Sequence, residues 1–150
     1  MNELQNAKFV AALAPAAIVD NNSVTPTVID ATGYDYCTIV CHLGATDIAM
    51  TALKVQTSDA SGGTYADLSG ATFDGGTDSE GGTLALPSAT DDGQICVFQL
   101  DLQGVNRYLK VIATFGDGTA GGFMSGEAIL TRGQIELTDV AKATGGVCRL

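Results

Sequence analysis

An all-β fold with little helix, an antiparallel β-sandwich or β-barrel of jelly-roll-like type, is what this sequence predicts, on three observations. The apolar residues fall in short runs rich in β-branched side chains, and clusters of glycine separate those runs. Helix-compatible composition is confined to the first seven residues and part of 135 to 143. Parallel sheets need long crossover connections, usually helices, and none is offered, so the strands are expected to pair antiparallel. At 150 residues the chain is long enough for one core. The expected division is a single β domain over 1–134, including an apolar N-terminal arm, and a C-terminal tail over 135–150 available for intersubunit contact.

The elements follow in chain order. The arm Phe9 to Ile18 is apolar and weakly alternating, with a strand near 8 to 13. A second strand near 36 to 43 puts Cys37, Ile39 and Cys41 on one face and Thr38, Val40 and His42 on the other. The clearest alternation is at 52 to 58: Leu53, Val55 and Thr57 share a dry face, while Ala52, Lys54, Gln56 and Ser58 share a wet one. Residues 59 to 93 form a long polar stretch with apolar punctuation at Tyr65, Leu68, Phe73, Leu84 and Leu86, read as loop. In a strand near 94 to 102, Cys96, Phe98, Leu100 and Leu102 share a face, and Ile95 and Val97 opposite them predict burial on both sides at its start. Gly104 in the short link to a strand near 107 to 115 predicts a β-hairpin, and 122 to 132 completes the set.

Composition narrows the function. A net charge of −10 repels phosphates and anionic lipid, so neither nucleic acid nor a membrane is an expected partner. No run reaches the roughly 18 to 20 apolar residues that span a bilayer. Glu3, Lys8 and Pro15 interrupt what would otherwise read as a signal peptide. Cys37, Cys41, Cys96 and Cys148 are expected as reduced thiols, because a chain of this length can build a core without staples.

No constellation of residues defines a catalytic site, and neither an enzyme nor a cofactor is expected. The run Gly116 to Gly121 matches G-x-G-x-x-G, with Glu136 at a distance to be considered for ribose binding. That motif needs a helix to follow it, whereas 122 to 130 reads as a strand, so a flexible hairpin turn is expected instead. Asp74, Asp78 and Glu80 lack the spacing of a calcium loop and read as a solvated acidic loop. His42 lies across the strand from Cys37 and Cys41, so base and nucleophile do not meet. Zinc would need Cys41, Cys96, Cys148 and His42 to converge without any C-x-x-C pair, and no metal is expected. The many carboxylates leave a glycosidase-like pair open.

Four segments carry a resemblance: Ala14 to Ile18, Ile29 to Tyr36, Leu53 to Asp59 and Arg107 to Val111. Together their order resembles the head decoration, or cement, proteins encoded beside the major capsid protein in tailed bacteriophages, over about 8 to 132 of this chain. The resemblance implies a β domain that forms a homotrimer on the outer surface of the capsid, made in the host cytoplasm, and that stabilises contacts between major capsid proteins. No site residue carries over individually. The apolar ends name the candidate interface, Phe9, Val10, Leu13, Ile135 and Leu137, since apolar tails complete their own sheet or cover a neighbour's. Gly33 is expected to permit a tight approach into the strand at Tyr36. Lys54, Arg107 and Lys110 are cations available to a neighbour's carboxylates, or simply solvated. The alternatives are another virion protein of neck or tail, and a carbohydrate-binding, adhesin-like sandwich whose recognition surface is 59 to 93; the absence of Trp and 6% aromatic content weigh against the latter.

Overall fold

The computed structural model describes residues 3–133 together with Lys142, Ala143 and Gly145. The expectations for Ile135, Leu137, Cys148 and the intersubunit tail lie outside the described residues. A 3-10 turn, Glu3–Asn6, precedes eight strands: β1 Lys8–Leu13, β2 Ile29–Asp30, β3 Tyr36–Thr46, β4 Met50–Ser58, β5 Ala66–Thr72, β6 Ile95–Asp101, β7 Tyr108–Phe115 and β8 Gly122–Thr131.

The strands form two four-stranded antiparallel sheets, a front sheet in the order β1-β8-β3-β6 and a back sheet in the order β2-β7-β4-β5. β1 pairs with β8, β2 with β7, β3 with β6 and β4 with β5. The chain is therefore one long hairpin of nested strand pairs rolled into a sandwich, which is the jelly roll.

Alternation builds the core between the sheets. In β7, Leu109, Val111, Ala113 and Phe115 are buried while Tyr108, Lys110, Ile112 and Thr114 are half-buried on the other side. In β4, Leu53, Val55 and Thr57 point inward as expected; Ser58, expected on the wet face, is buried as well. Cys37, Ile39 and Cys41 supply the inner face of β3, and Ala128 and Leu130 that of β8. Each large aliphatic or aromatic side chain buried this way contributes about 1.5–3 kcal/mol.

Several expectations are corrected. β6 and β7 are not a hairpin, because β6 lies in the front sheet and β7 in the back. The link between them is an arch: the Leu102 N–H donates to the Asp35 carbonyl, the Val105 N–H donates to the Leu102 carbonyl, and both side chains pack on the core from its open end. Gly104, at φ 78°, turns the chain, but a turn does not determine which layer receives the next strand. The 116 to 121 segment is likewise an arch from the back sheet to the front rather than a hairpin turn. β6 is not buried on both sides at its start, since Ile95 is 62% and Val97 42% exposed. The stretch 59 to 93 is not loop throughout: it contains β5 and a bridge between Thr77 and Thr83. Its Phe73 meets Phe98 edge to face at 5.1 Å between ring centroids. Gly33 has open space around its Cα and is required instead by its φ of 82°, a left-handed conformation that side chains resist.

Candidate interaction surface

The glycine-rich arch between β7 and β8 places its backbone N–H groups as a phosphate-binding loop would, but its anion is internal. Asp47 accepts hydrogen bonds from the N–H groups of Thr119, Ala120 and Gly121 at 2.8, 2.7 and 2.8 Å, and Asp20 accepts that of Gly118 at 2.8 Å. Those donors hold the Asp47 carboxyl below the usual carboxylate range. The loop is thus pinned rather than flexible, and its donors are already occupied. The acidic loop behaves similarly: Asp78 accepts the N–H groups of Glu80 and Gly82 and closes its own turn. At the same end of the sandwich as the Asp47 clamp, Asp92 accepts the Thr46 N–H at 2.8 Å, and Asp91 accepts both the N–H and the hydroxyl of Ser88.

Cys41 and Cys96 are cross-strand partners on the inner face of the front sheet, and the imidazole does not join them. Cys37, Cys41 and Cys96 are free and buried, and burial pushes the Cys37 and Cys41 thiols up to about 12. His42 is exposed on the opposite face of β3. Among the described residues no three His, Cys, Asp or Glu side chains group as metal ligands, and no helix is long and apolar enough to cross a membrane.

The outer face of the back sheet is polar and internally paired. Lys54 meets Asp67 at 2.7 Å. Arg107 binds Asp30 through two hydrogen bonds of 2.9 and 2.8 Å, and its guanidinium holds that carboxyl well below the usual range. Lys110 lies 4.0 Å from the Tyr65 ring centroid. The three cations expected either to reach a neighbour or to stand solvated therefore have partners within the chain.

The outer face of the front sheet is different. The register aligns its outward positions in rows, Ala11–Glu127–Val40–Val97 and Phe9–Ile129–Thr38–Gln99. His42 stands beside Ile95 one row above, and Tyr36 beside Asp101 one row below. Phe123 lies over Gly44 so closely that any Cβ there would collide with its ring. Tyr36, Ile95, Val97 and Phe123 are four of the six exposed large hydrophobic residues among those described, and all four belong to this face. Among the described residues, the side chains on it that can carry charge near neutral pH are the His42 imidazole, Glu127 and Asp101, with Arg132 stacked over Tyr36 at 5.3 Å beside the lower rim. On a chain of net charge −10, this sheet face is thus about half apolar, with Glu127 and Asp101 as its carboxylates among the described residues. Apolar patches of this kind mark interaction sites.

The sequence-named residues divide across this picture. Phe9 lies on the front face in β1. Val10 points inward and packs against the core, and Leu13 is a core residue, 1% exposed, with no side-chain surface left for a partner. Ile95, Val97, Tyr36 and Phe123 were missed by sequence reasoning. For Ile95 and Val97 the signal was an apolar residue on each side of one strand, read as burial within the domain although both point outward.

Beside β6 the sandwich opens into a groove of about 790 Å³ between the edges of β5 and β6, with Leu68, Phe73, Leu84, Phe98 and Leu100 in its walls. Its charged lining residues, Asp78 and Asp101, are both acids.

No family model matches this chain, and no curated protein matches it.

Proposed function

We propose that this protein is a virion structural protein of the decoration type, which binds the outside of a phage head and ties neighbouring major capsid proteins together. The observation that carries the reading is the half-apolar outer face of the front sheet on a strongly acidic molecule. A rigid sandwich with one such face serves to hold surfaces together, and the sequence resemblance to cement proteins supplies the surface in question. Jelly rolls carry capsid and lectin functions alike, so the fold supports this reading without selecting it. Affinity for a shell would come from many modest contacts repeated by symmetry.

The test is co-sedimentation with empty shells assembled from the major capsid protein of the phage that this reading assigns as its partner. Saturable binding, together with shells that survive higher temperature once decorated, is the expected result; no binding at any concentration removes the proposal. A second reading, carbohydrate binding, draws on the groove beside β6, part of whose wall comes from the 59 to 93 stretch. Its aromatic lining is limited to Phe73 and Phe98, the latter buried, which gives a sugar ring little to stack on. A glycan array with no binder disposes of it.

A further inference from the structure

We propose that Cys41 and Cys96 are a dithiol pair that hydrogen peroxide converts to a cross-strand disulfide, fastening β6 to β3 inside the front sheet. The inference stands on the register of those two strands and does not depend on the decoration reading.

Cys41 on β3 and Cys96 on β6 are directly opposite each other, and both point into the core, 0% and 4% exposed. The phase of the ladder follows from its two ends. The Leu43 N–H donates to the Gln94 carbonyl and the Leu102 N–H to the Asp35 carbonyl, each at 2.9 Å. Alternation between those points makes Cys41 and Cys96 a hydrogen-bonded pair, of the kind whose Cα atoms stand about 5.5 Å apart. A disulfide spans Cα separations of roughly 4.4–6.8 Å, so the backbone is already within reach. Opposed Cβ atoms in a sheet stand roughly 4.5–5.5 Å apart, at or beyond the upper end of what the bond accepts. The two strands must therefore draw together slightly as it forms, and a bond made under that constraint is readily reduced again.

The register also selects the pair. Cys37 shares the inner face of β3, but it stands about 13 Å along the strand from Cys41 and faces Leu100 across the ladder. Among the described cysteines, Cys96 is the one that Cys41 can reach. In the reduced structure the Cys41 sulfur leans the other way, towards β8. The residue opposite it there is Gly126, where a Cβ would stand 3.1 Å from the Cys41 Sγ. The missing side chain gives the sulfur a resting place, and rotation about the Cα–Cβ bond of Cys41 swings it towards Cys96.

Cys96 is the point of entry. Among the described residues β6 pairs with β3 alone, at the end of the sheet, and Cys96 is the less deeply buried of the two thiols. Attack of its thiolate on the peroxide breaks the O–O bond, leaving a sulfenic acid on Cys96 and releasing hydroxide. The Cys41 sulfur then attacks the Cys96 sulfur, forming the S–S bond and expelling the second oxygen. The protons given up by the two thiols convert both oxygens to water, and the two electrons they lose reduce the peroxide. Burial holds both thiols protonated near neutral pH, which slows the first attack and keeps the pair reduced until peroxide is supplied.

The bond would act on the strand that carries Ile95 and Val97 of the exposed face. Cys96 lies at the N-terminal end of β6, so a covalent tie there stops that end from fraying away from β3 and keeps both side chains in register.

The test treats the full-length chain, reduced and then freed of reductant, with hydrogen peroxide, alkylates it in denaturant and maps its peptides without reduction. A linked species joining Cys41 to Cys96 is expected, with Cys37 recovered alkylated. Hydrogen exchange of the Phe98 and Leu100 amides, which face β3, is expected to slow in the oxidised protein and to regain its starting rate on reduction. Cys41→Ala and Cys96→Ala should each lose the linked species, and Cys37→Ala should keep it. Recovery of Cys41 and Cys96 as alkylated thiols, a bond to Cys37 or Cys148 in place of this one, or a bond that forms only in unfolded chain overturns the proposal. So do β6 amides that exchange equally fast in both states.

Discussion

Asp47 does for the 116 to 121 arch what a bound anion does for a phosphate-binding loop: a single carboxylate gathers three consecutive N–H groups into one conformation. Asp47→Ala is expected to abolish hydrogen-exchange protection of the Thr119, Ala120 and Gly121 amides while leaving the strand amides protected. Because the folded protein lowers this carboxyl from 3.8, its contribution is fully present above that pH and is lost as pH falls through the depressed value. The urea midpoints of wild type and variant should therefore differ at neutral pH and converge in acid. The thiols work with the opposite sign. Cys37 and Cys41 are raised from 9.0 to about 12 by burial, so their neutral form favours the folded state, and that contribution is present below pH 9 and lost as pH climbs towards 12. At pH 8, peptide mapping after alkylation should find both unmodified in native protein and both modified once the chain is unfolded.

At the scale of the strand, the two sides of β4 make opposite predictions. Leu53→Ala empties a site that is 0% exposed and should cost about 2–5 kcal/mol in denaturant unfolding. Lys54→Ala, one residue on, breaks a partly exposed ion pair and should cost about 1 kcal/mol or less. That contrast was legible in the alternation alone, as were the positions of β1, β3, β4, β6, β7 and β8. β5 was not legible, because ADLSGAT has few apolar residues, a glycine inside it and a weak inward face. β2 is two residues long, too short for any period to show. What periodicity could not supply was the layer to which each strand belongs. Gly104 and Gly116 announce turns, yet in both places the chain changes sheet, a choice made by long-range pairing of β6 with β3 and β7 with β4. The front face was misread for a related reason. An outward Ile95 or Val97 has the same pattern as one buried under another layer, and only the three-dimensional order shows that nothing in the described chain lies over it.

For the whole molecule, nested pairing sets the folding problem. β1 cannot find β8, nor β2 find β7, until the chain between them has been brought together, and loop closure of that length is slow. Refolding should therefore fall in the millisecond-to-second range typical of sheets built from remote pairs, and stopped-flow refolding checks this; a microsecond phase accounting for the whole amplitude would contradict it. The same connectivity has a mechanical side. Every link except that between β4 and β5 passes from one sheet to the other, so the backbone stitches the two layers along both ends. Prying the layers apart would pull all of those stitches taut together, and tension spread over several covalent threads does not yield one weak contact at a time. A domain laced in this way resists being peeled open, even where the packing between its layers would by itself give way.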